Sequence, residues 1–407
     1  MSQLFTPAKI GPLTLRNRTI RAAAFEGMCP DNNPSKQLRD YHVSVAAGGI
    51  GMTTLAYSSV TQNGLSFPHQ LWLRKEIIPS LKEITDDIHK EGAAASVQIG
   101  HCGNMSKRSV AGQMPVSASY GFNVYSPTFV RRMSRNEIKD VAKDFGTAVN
   151  IAREAGFDAV EIHAGHGYLL SQFLSKYTNH RHDEYGGSLE NRMRFMEMAV
   201  SEALEAARGD MAVTVKMNMH DGFKFLGGMQ QDDCILVAKK LESLGTHAVT
   251  LSAGFVSHAP MHVMYGSMPT NTMAYYMKPS IIKPLARYFG KILVPTVPFK
   301  EAYFYEDALK FREAVKMPLI YVGGLVAREK IDMVLDSGFE FVAMARALVN
   351  EPAFVNRMKE EGNIRCECEH ANYCIGRMYT KDMVCHKHLD EKLPKCIIKE
   401  IEKTKRH

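Results

Sequence analysis

The chain has no apolar run near the ~18 residues that a membrane-crossing helix requires. Its opening, MSQLFTPAKIGPLTLRNR, also lacks the charged-then-apolar order of a secretion signal. A soluble, cytoplasmic protein with no membrane partner is expected. No Gly-rich or Pro-rich linker, internal repeat or low-complexity segment marks a domain boundary, and no GxGxxG signals a Rossmann dinucleotide-binding region. Charge of one sign is not concentrated either. The formal net charge of +7 is spread along the chain, with a modest excess in KEIEKTKRH, so it reads as solvated surface and no nucleic-acid partner is expected.

What the chain does have is 407 residues, 45% of them hydrophobic, enough for one large α/β domain. Short apolar runs alternate with helix-period stretches. The runs are RTIRAAA, GMTTLAY, AAASVQIG, DAVEIHA, AVTVKMN, HAVTLSA, PLIYVGG and EFVAMAR; between them lie segments such as SLKEITDDIHKEG and SLENRMRFMEMAVSEALEAARG, several stopping at Gly. Eight strand-helix units predict a (β/α)8 TIM barrel. LFTPAKIGPLTLRNR predicts a small hairpin ahead of it, and roughly residues 254–296 predict a long irregular loop rich in Met, Tyr and Pro. The expected division is a barrel over residues 1–360 and a Cys-rich extension, 361–407, packed on it.

In such a barrel the site assembles at the C-terminal ends of the strands. The stretch EIHAGHGYLL, Glu161 to Leu170, sits at one of these ends and holds His163, His166 and Tyr168. Packing with backbone hydrogen bonds remains open for the two rings. Zinc is disfavoured, because the spacing matches no HExxH-type helix. The same rule singles out Gln98, Lys216, Gly323, Gly324 and Arg346. The last three suit an anion such as phosphate, since glycines admit backbone amides and arginine binds in two-pronged fashion.

Here the sequence resembles a known family. HAGHGYLLSQFLSKYTNHRHDEYGGSLENRMRF, together with SVQIGHCGN, PLIYVGGL and FVAMARALVNEP, is similar in order and spacing to the old yellow enzyme family of FMN-dependent oxidoreductases. Within the family it looks closest to the barrel part of 2,4-dienoyl-CoA reductases and of steroid or bile-acid ene-reductases. The resemblance implies FMN across the barrel mouth, with NADH or NADPH as reductant. Ala22, Ala23, Ala24 and Tyr57 would line the flavin and Gln98 would bond its pyrimidine ring. Lys216 would sit near N1, where reduction places negative charge. Gly323, Gly324, Ala345 and Arg346 would hold the phosphate. His163 and His166 would polarise the carbonyl of an α,β-unsaturated substrate as hydride arrives from the flavin, and Tyr168 would give the proton.

Three features depart from the family pattern. AAAFEG replaces the usual Pro with Cys or Thr, so Phe25 is expected to shape an apolar wall for the substrate. His182 stands where a small polar residue is usual, and reads as a surface change. In the tail, RCECEHANYCIGRMYTKDMVC, relatives place four cysteines for a [4Fe-4S] cluster. Here Cys368, Cys374 and Cys385 fall near that pattern, Ala371 replaces a ligand, and Cys366 would have to substitute from a shifted loop. Reduced structural thiols are the reading preferred over a cluster or zinc. Taken together, the sequence leads to an ene-reductase for a bulky apolar enone or an enoyl thioester. The rival readings are an amine dehydrogenase-like enzyme, a flavin-binding barrel without turnover, and a lyase without flavin. A homo-oligomer is open.

Overall fold

A computed structural model describes residues 2–123, 128–277 and 296–404. Each of the eight apolar runs forms a strand, and we number them β1 (Thr19–Arg21), β2 (Met52–Ser59), β3 (Ala94–Gly100), β4 (Ala159–His163), β5 (Ala212–Asn218), β6 (Ala248–Ser252), β7 (Leu319–Val322) and β8 (Phe341–Met344). All pair in parallel with their sequence neighbours, and β8 returns to β1 to close the barrel. The outer helices include α1 (Lys36–Ala47), α2 (Ile78–Lys90), α3 (Arg135–Glu154), α4 (Leu189–Ala207) and α5 (Gln231–Ser243).

Local signals set the helix limits. The Ser134 hydroxyl accepts from the Glu137 amide while the Glu137 side chain accepts from the Ser134 amide, a capping box that starts α3. Ile138, Val141, Ala142, Phe145, Val149 and Ala152 then recur at helical spacing and are buried. Gly146 lets α3 approach α4, since a Cβ there would lie 3.1 Å from the carbonyl oxygen of Glu202.

The strand period of two decides what faces inward. On β4 Val160 and Ile162 join the large apolar layer under the helices, whereas Ala159 joins the small cluster inside the barrel. Glu161 and His163 therefore also point inward, above Ala159. That inner cluster contains Met52, Ala159, Ala212 and Ala248 from the strand starts, plus Ile10 and Leu15 from the N-terminal hairpin (Ala8–Ile10 with Leu13–Leu15). The hairpin thus seals the N-terminal end with apolar groups, and polar side chains are left to the opposite mouth.

Two segments differ from the sequence reading. Residues after β3 form a three-stranded sheet of Val116–Ser117, Gly121–Asn123 and Thr128–Arg132, whose strands are too short to carry a period. Within the span read as irregular, Pro260–Val263 and Thr270–Tyr276 are helical; residues 278–295 lie outside the described residues. Beyond residue 361 the chain packs back on the barrel: the Met383 amide donates to Glu26 O at 2.7 Å, and the Cys366 amide to Val326 O at 2.7 Å.

Candidate active site

A carboxylate that the sequence reading did not single out organises the mouth. Glu161 is 7% exposed. Its Oε1 accepts from Gln98 Nε2 at 2.7 Å and lies 3.0 Å from Lys216 Nζ; its Oε2 accepts from Thr250 Oγ1 at 2.6 Å. Lys216 also donates to Ala23 O at 3.2 Å. The charges cancel within the pair, and each carboxylate oxygen has at least one hydrogen-bond donor, as a buried ion pair requires. Gln98 and Lys216, expected at the flavin pyrimidine, are thereby fixed in place.

One layer higher, β4 ends in His163. Its ring lies 5.1 Å from that of His166 and 4.6 Å from that of Tyr168, edge to face. The GHG turn explains how three functional groups converge. His166 adopts a left-handed φ of 58°, uncommon for a residue with a Cβ, and its amide donates to Asn218 Oδ1 at 2.9 Å. At Gly165 a Cβ would come within 2.7 Å of the same Oδ1; Gly167, at φ 79°, packs against the Phe255 ring. His166 Nε2 meets Ser252 Oγ at 2.7 Å, a partner the sequence reading missed.

Electrostatics hold these groups neutral. Burial pushes the His163 pKa well below its ordinary value, helped by His166 and Lys216. Burial and Lys216 bring His166 down to about 3. Burial raises Tyr168 above the ordinary phenol value, with Cys102 adding to the rise and a hydrogen bond from Tyr57 opposing it. Neutral imidazoles offer N–H donors without a net charge, and a phenol kept protonated is a proton reserve.

Tyr57, expected to line the flavin, puts its ring 5.1 Å from that of Tyr168, and its hydroxyl contacts Ser66 Oγ at 3.0 Å and the Cys102 thiol. Burial lifts that thiol to about 12, so it stays protonated. Phe25, expected to shape an apolar wall, stacks on Phe67 at 4.9 Å. The backbone leading to Phe25 is clamped from behind by a buried network: Arg21 lies 2.7 Å from Glu26, and Arg21 donates to the carbonyls of Thr54 and Ala24. Ala22 is buried and its amide donates to Met344 O at 2.8 Å.

The expected phosphate residues also gather. Gly323 and Gly324 take φ of 142° and 69°, and Ala345 precedes the short helix Arg346–Asn350. A Cβ on Gly324 would come within 2.7 Å of the Tyr303 ring, so the turn is glycine for packing as well. Arg346 Nη1 donates at 2.6 Å to both Tyr265 O and Asn372 Oδ1, the latter from the C-terminal extension.

Three of the tail cysteines, Cys368, Cys374 and Cys385, lie close enough to act electrostatically on one another. Cys366 Sγ contacts Ala347 O and Asn350 Oδ1, each at 3.5 Å, and Cys385 accepts from Asn350 at 3.4 Å. Burial raises Cys368, and raises Cys366 and Cys374 to about 12. Among the described residues no group of three or more His, Cys, Asp and Glu is placed to hold a metal ion, and all eight cysteines are free. With Ala371 in place of a fourth thiolate, the residues do not fit the [4Fe-4S] group of some relatives.

A separate open depression of about 740 Å³ is lined by Tyr120, Arg131, Arg135, Arg181 and the exposed His182. Arg131, Arg135 and Arg181 pair with Glu137, Glu184 and Asp183, while Arg132, which also lines it, lies over the Tyr120 ring.

Comparison with known proteins settles the lineage. Residues 3–288 match the NADH:flavin oxidoreductase / NADH oxidase family. A 4,4'-dithiodibutanoate disulfide reductase of Rhodococcus erythropolis is 37% identical over 380 residues, covering 93% of each chain. The chain belongs to this family. It is a flavin-dependent NAD(P)H oxidoreductase of the old yellow enzyme type. A Thermoanaerobacter brockii NADH oxidase is 30% identical over 381 residues, and the chain spans 53% of that longer relative. The fold is shared with a 2-naphthoyl-CoA reductase complex (TM-score 0.79, 22% identity, 94% of this chain and 56% of that one). It is shared too with morphinone reductase bound to tetrahydroNAD (TM-score 0.71, 22% identity, 97% and 100%).

FMN, the group this family implies, fits the residues present. Gln98 and the Glu161-paired Lys216 would offer it N–H donors at the barrel centre, and the Gly323–Gly324 turn with Arg346 would receive its phosphate at the edge. Among the described residues no helix is long and apolar enough to cross a membrane.

Proposed function

We propose that this enzyme is an ene-reductase that reduces the C=C bond of an α,β-unsaturated carbonyl compound, with FMN held by residues 22–24, Tyr57, Gln98, Lys216, Gly323, Gly324, Ala345 and Arg346. When bound, FMN takes a hydride from NADH or NADPH and passes it to the substrate. The observation that carries the reading is the meeting of His163, His166 and Tyr168 at ring separations of 4.6 to 5.1 Å above the Gln98–Glu161–Lys216 layer. Two neutral imidazoles present N–H groups to a carbonyl oxygen and stabilise the enolate-like charge that grows there. Tyr168 then delivers a proton to the α-carbon. Phe25, Tyr57, Met105 and Val256 give the site an apolar lining, which excludes water and suits a bulky substrate. The barrel, residues 1–360, carries the chemistry, and residues 361–407 brace it.

A second reading, reduction of a disulfide, is favoured by the 37% identical relative, a disulfide reductase. The same imidazoles and Tyr168 would serve a leaving thiolate, which also needs a donor and a proton. An amine dehydrogenase-like activity has no such support at this site. The experiment is an anaerobic absorbance titration. NADH or NADPH should bleach the bound flavin, and cyclohex-2-enone should restore the colour. Colour restored by a disulfide but not by the enone would select the second reading, and a protein that takes up no FMN would overturn both.

A further inference from the structure

Lys107 stands in the wall beside the site, and among the described residues no acid pairs with it. It follows the turn Gly103–Met105 after β3, is half-buried, and holds Nζ 5.3 Å from the centroid of the Phe67 ring. Burial lowers its pKa, and no carboxylate works against that fall. Comparable half-buried cations elsewhere are matched: Arg312 with Glu340 at 2.9 Å, Arg328 with Asp332 at 2.8 Å. Contact with a ring face offsets part of the desolvation of an ammonium and leaves its charge uncompensated.

The rings around Lys107 lead to the reacting groups. Phe67 stacks on Phe25, whose ring lies 6.2 Å from Tyr57, itself against Tyr168. His69 adds a ring 5.5 Å from Phe67, and feels Lys107 as a like charge. The other side comes from the C-terminal extension: Tyr379 meets Phe67 edge-on at 6.3 Å and is close enough to act electrostatically on Tyr168. Met378 O is held by His69 Nε2 at 3.1 Å. A flat apolar body lying along these rings, with its reducible group at His163, His166 and Tyr168, would bring its far end to Lys107.

We propose that Lys107 is an anion subsite of the substrate pocket, so that the substrate is an apolar or aromatic acid whose carboxylate pairs with Nζ. The inference rests on the reading of His163, His166 and Tyr168 as the reacting end. It narrows the substrate class from neutral bulky enones to carboxylate-bearing ones. Lys107 itself takes no part in hydride or proton transfer.

The test uses the oxidised FMN-bound enzyme and two ligands of one shape, 4-(3-oxobutyl)benzoate and its methyl ester, whose ketone and carboxyl group lie at opposite ends of an aromatic body; both side chains are saturated, so no cysteine adds to them. The change in flavin absorbance gives each dissociation constant. The acid should bind at least about tenfold more tightly than the ester, the scale of a charge-assisted contact in a partly desolvated site. Lys107→Met, which keeps the apolar stem, should remove the difference, and Lys107→Arg should retain most of it. Equal affinities for acid and ester in the unaltered enzyme, or an acid preference that survives Lys107→Met, would overturn the proposal. Because no turnover is needed, acid preference without consumption of the unsaturated analogue, 4-(3-oxobut-1-enyl)benzoate, would sink the ene-reductase reading and leave the subsite standing.

Discussion

Lys216 and Glu161 form an ion pair of 3.0 Å with side chains 4% and 9% exposed, beneath the reacting groups. A buried pair of this kind makes the cation's field at the mouth a difference between two charges. Glu161→Gln should leave Lys216 less compensated and raise the midpoint potential of bound FMN. Lys216→Met strands the carboxylate, and should lower both that potential and stability, the latter by about 3–5 kcal/mol. Spectroelectrochemical titration and urea unfolding check the two effects; a potential unmoved by either substitution would remove Lys216 from the flavin's surroundings.

Tyr168 is set against His163 and Tyr57 at 4.6 and 5.1 Å between rings. Tyr168→Phe should keep this packing and lose the proton. Stopped-flow traces should show flavin reduction by NAD(P)H unchanged and reoxidation by an enone slowed by roughly 10²-fold or more. Equal losses in both half-reactions would deny Tyr168 its role as acid.

The histidines set a pH dependence whose sign follows from burial. His101 and His166 are each held down to about 3, and His163 well below its ordinary value. Unfolded, each would titrate near ~6.5, so the unfolded chain binds more protons between those limits. Their contribution is therefore complete above about pH 6.5 and is lost as pH falls toward 3, by up to about 1.4 kcal/mol per histidine per pH unit. Urea midpoints measured from pH 7.5 to 4.5 should fall, and His166→Gln should flatten the slope. Reoxidation should show no ionisation of His163 or His166 above pH 5.

Asn372, 2% exposed, accepts from Arg346 through Oδ1 and donates through Nδ2 to Ser267 O at 3.0 Å. Asn372→Ala should free Arg346 from one of its hydrogen-bond partners. If Arg346 holds the FMN phosphate, the dissociation constant for FMN should rise several-fold, roughly the loss of one hydrogen bond to a charged group, while riboflavin affinity stays the same. Equal weakening for both flavins would place the effect elsewhere.

The strands were legible because each apolar run is bounded and short, and because GHG cannot continue one. The same habit hid Glu161: inside FDAVEI a single acid reads as part of a run, and only the closed barrel shows that its alternate residues face a lysine and a glutamine on the neighbouring strands. Lys107 gave no sequence signal, since its meaning lies in the acids that are not near it. Ser252 and Asn372 belong to the mouth through pairings across 86 and 26 residues, distances no local pattern spans. The small sheet after β3 went unseen for a different reason, its strands being two to five residues long.

Because β8 must reach β1 before the barrel closes, and because Met378 and Met383 are tied to His69 and Glu26, the first of these pairs 309 residues apart, the wall of the proposed substrate site joins segments far apart in the chain. A nascent chain stopped anywhere before residue 378 would hold His163, His166 and Tyr168 with one side of the pocket missing.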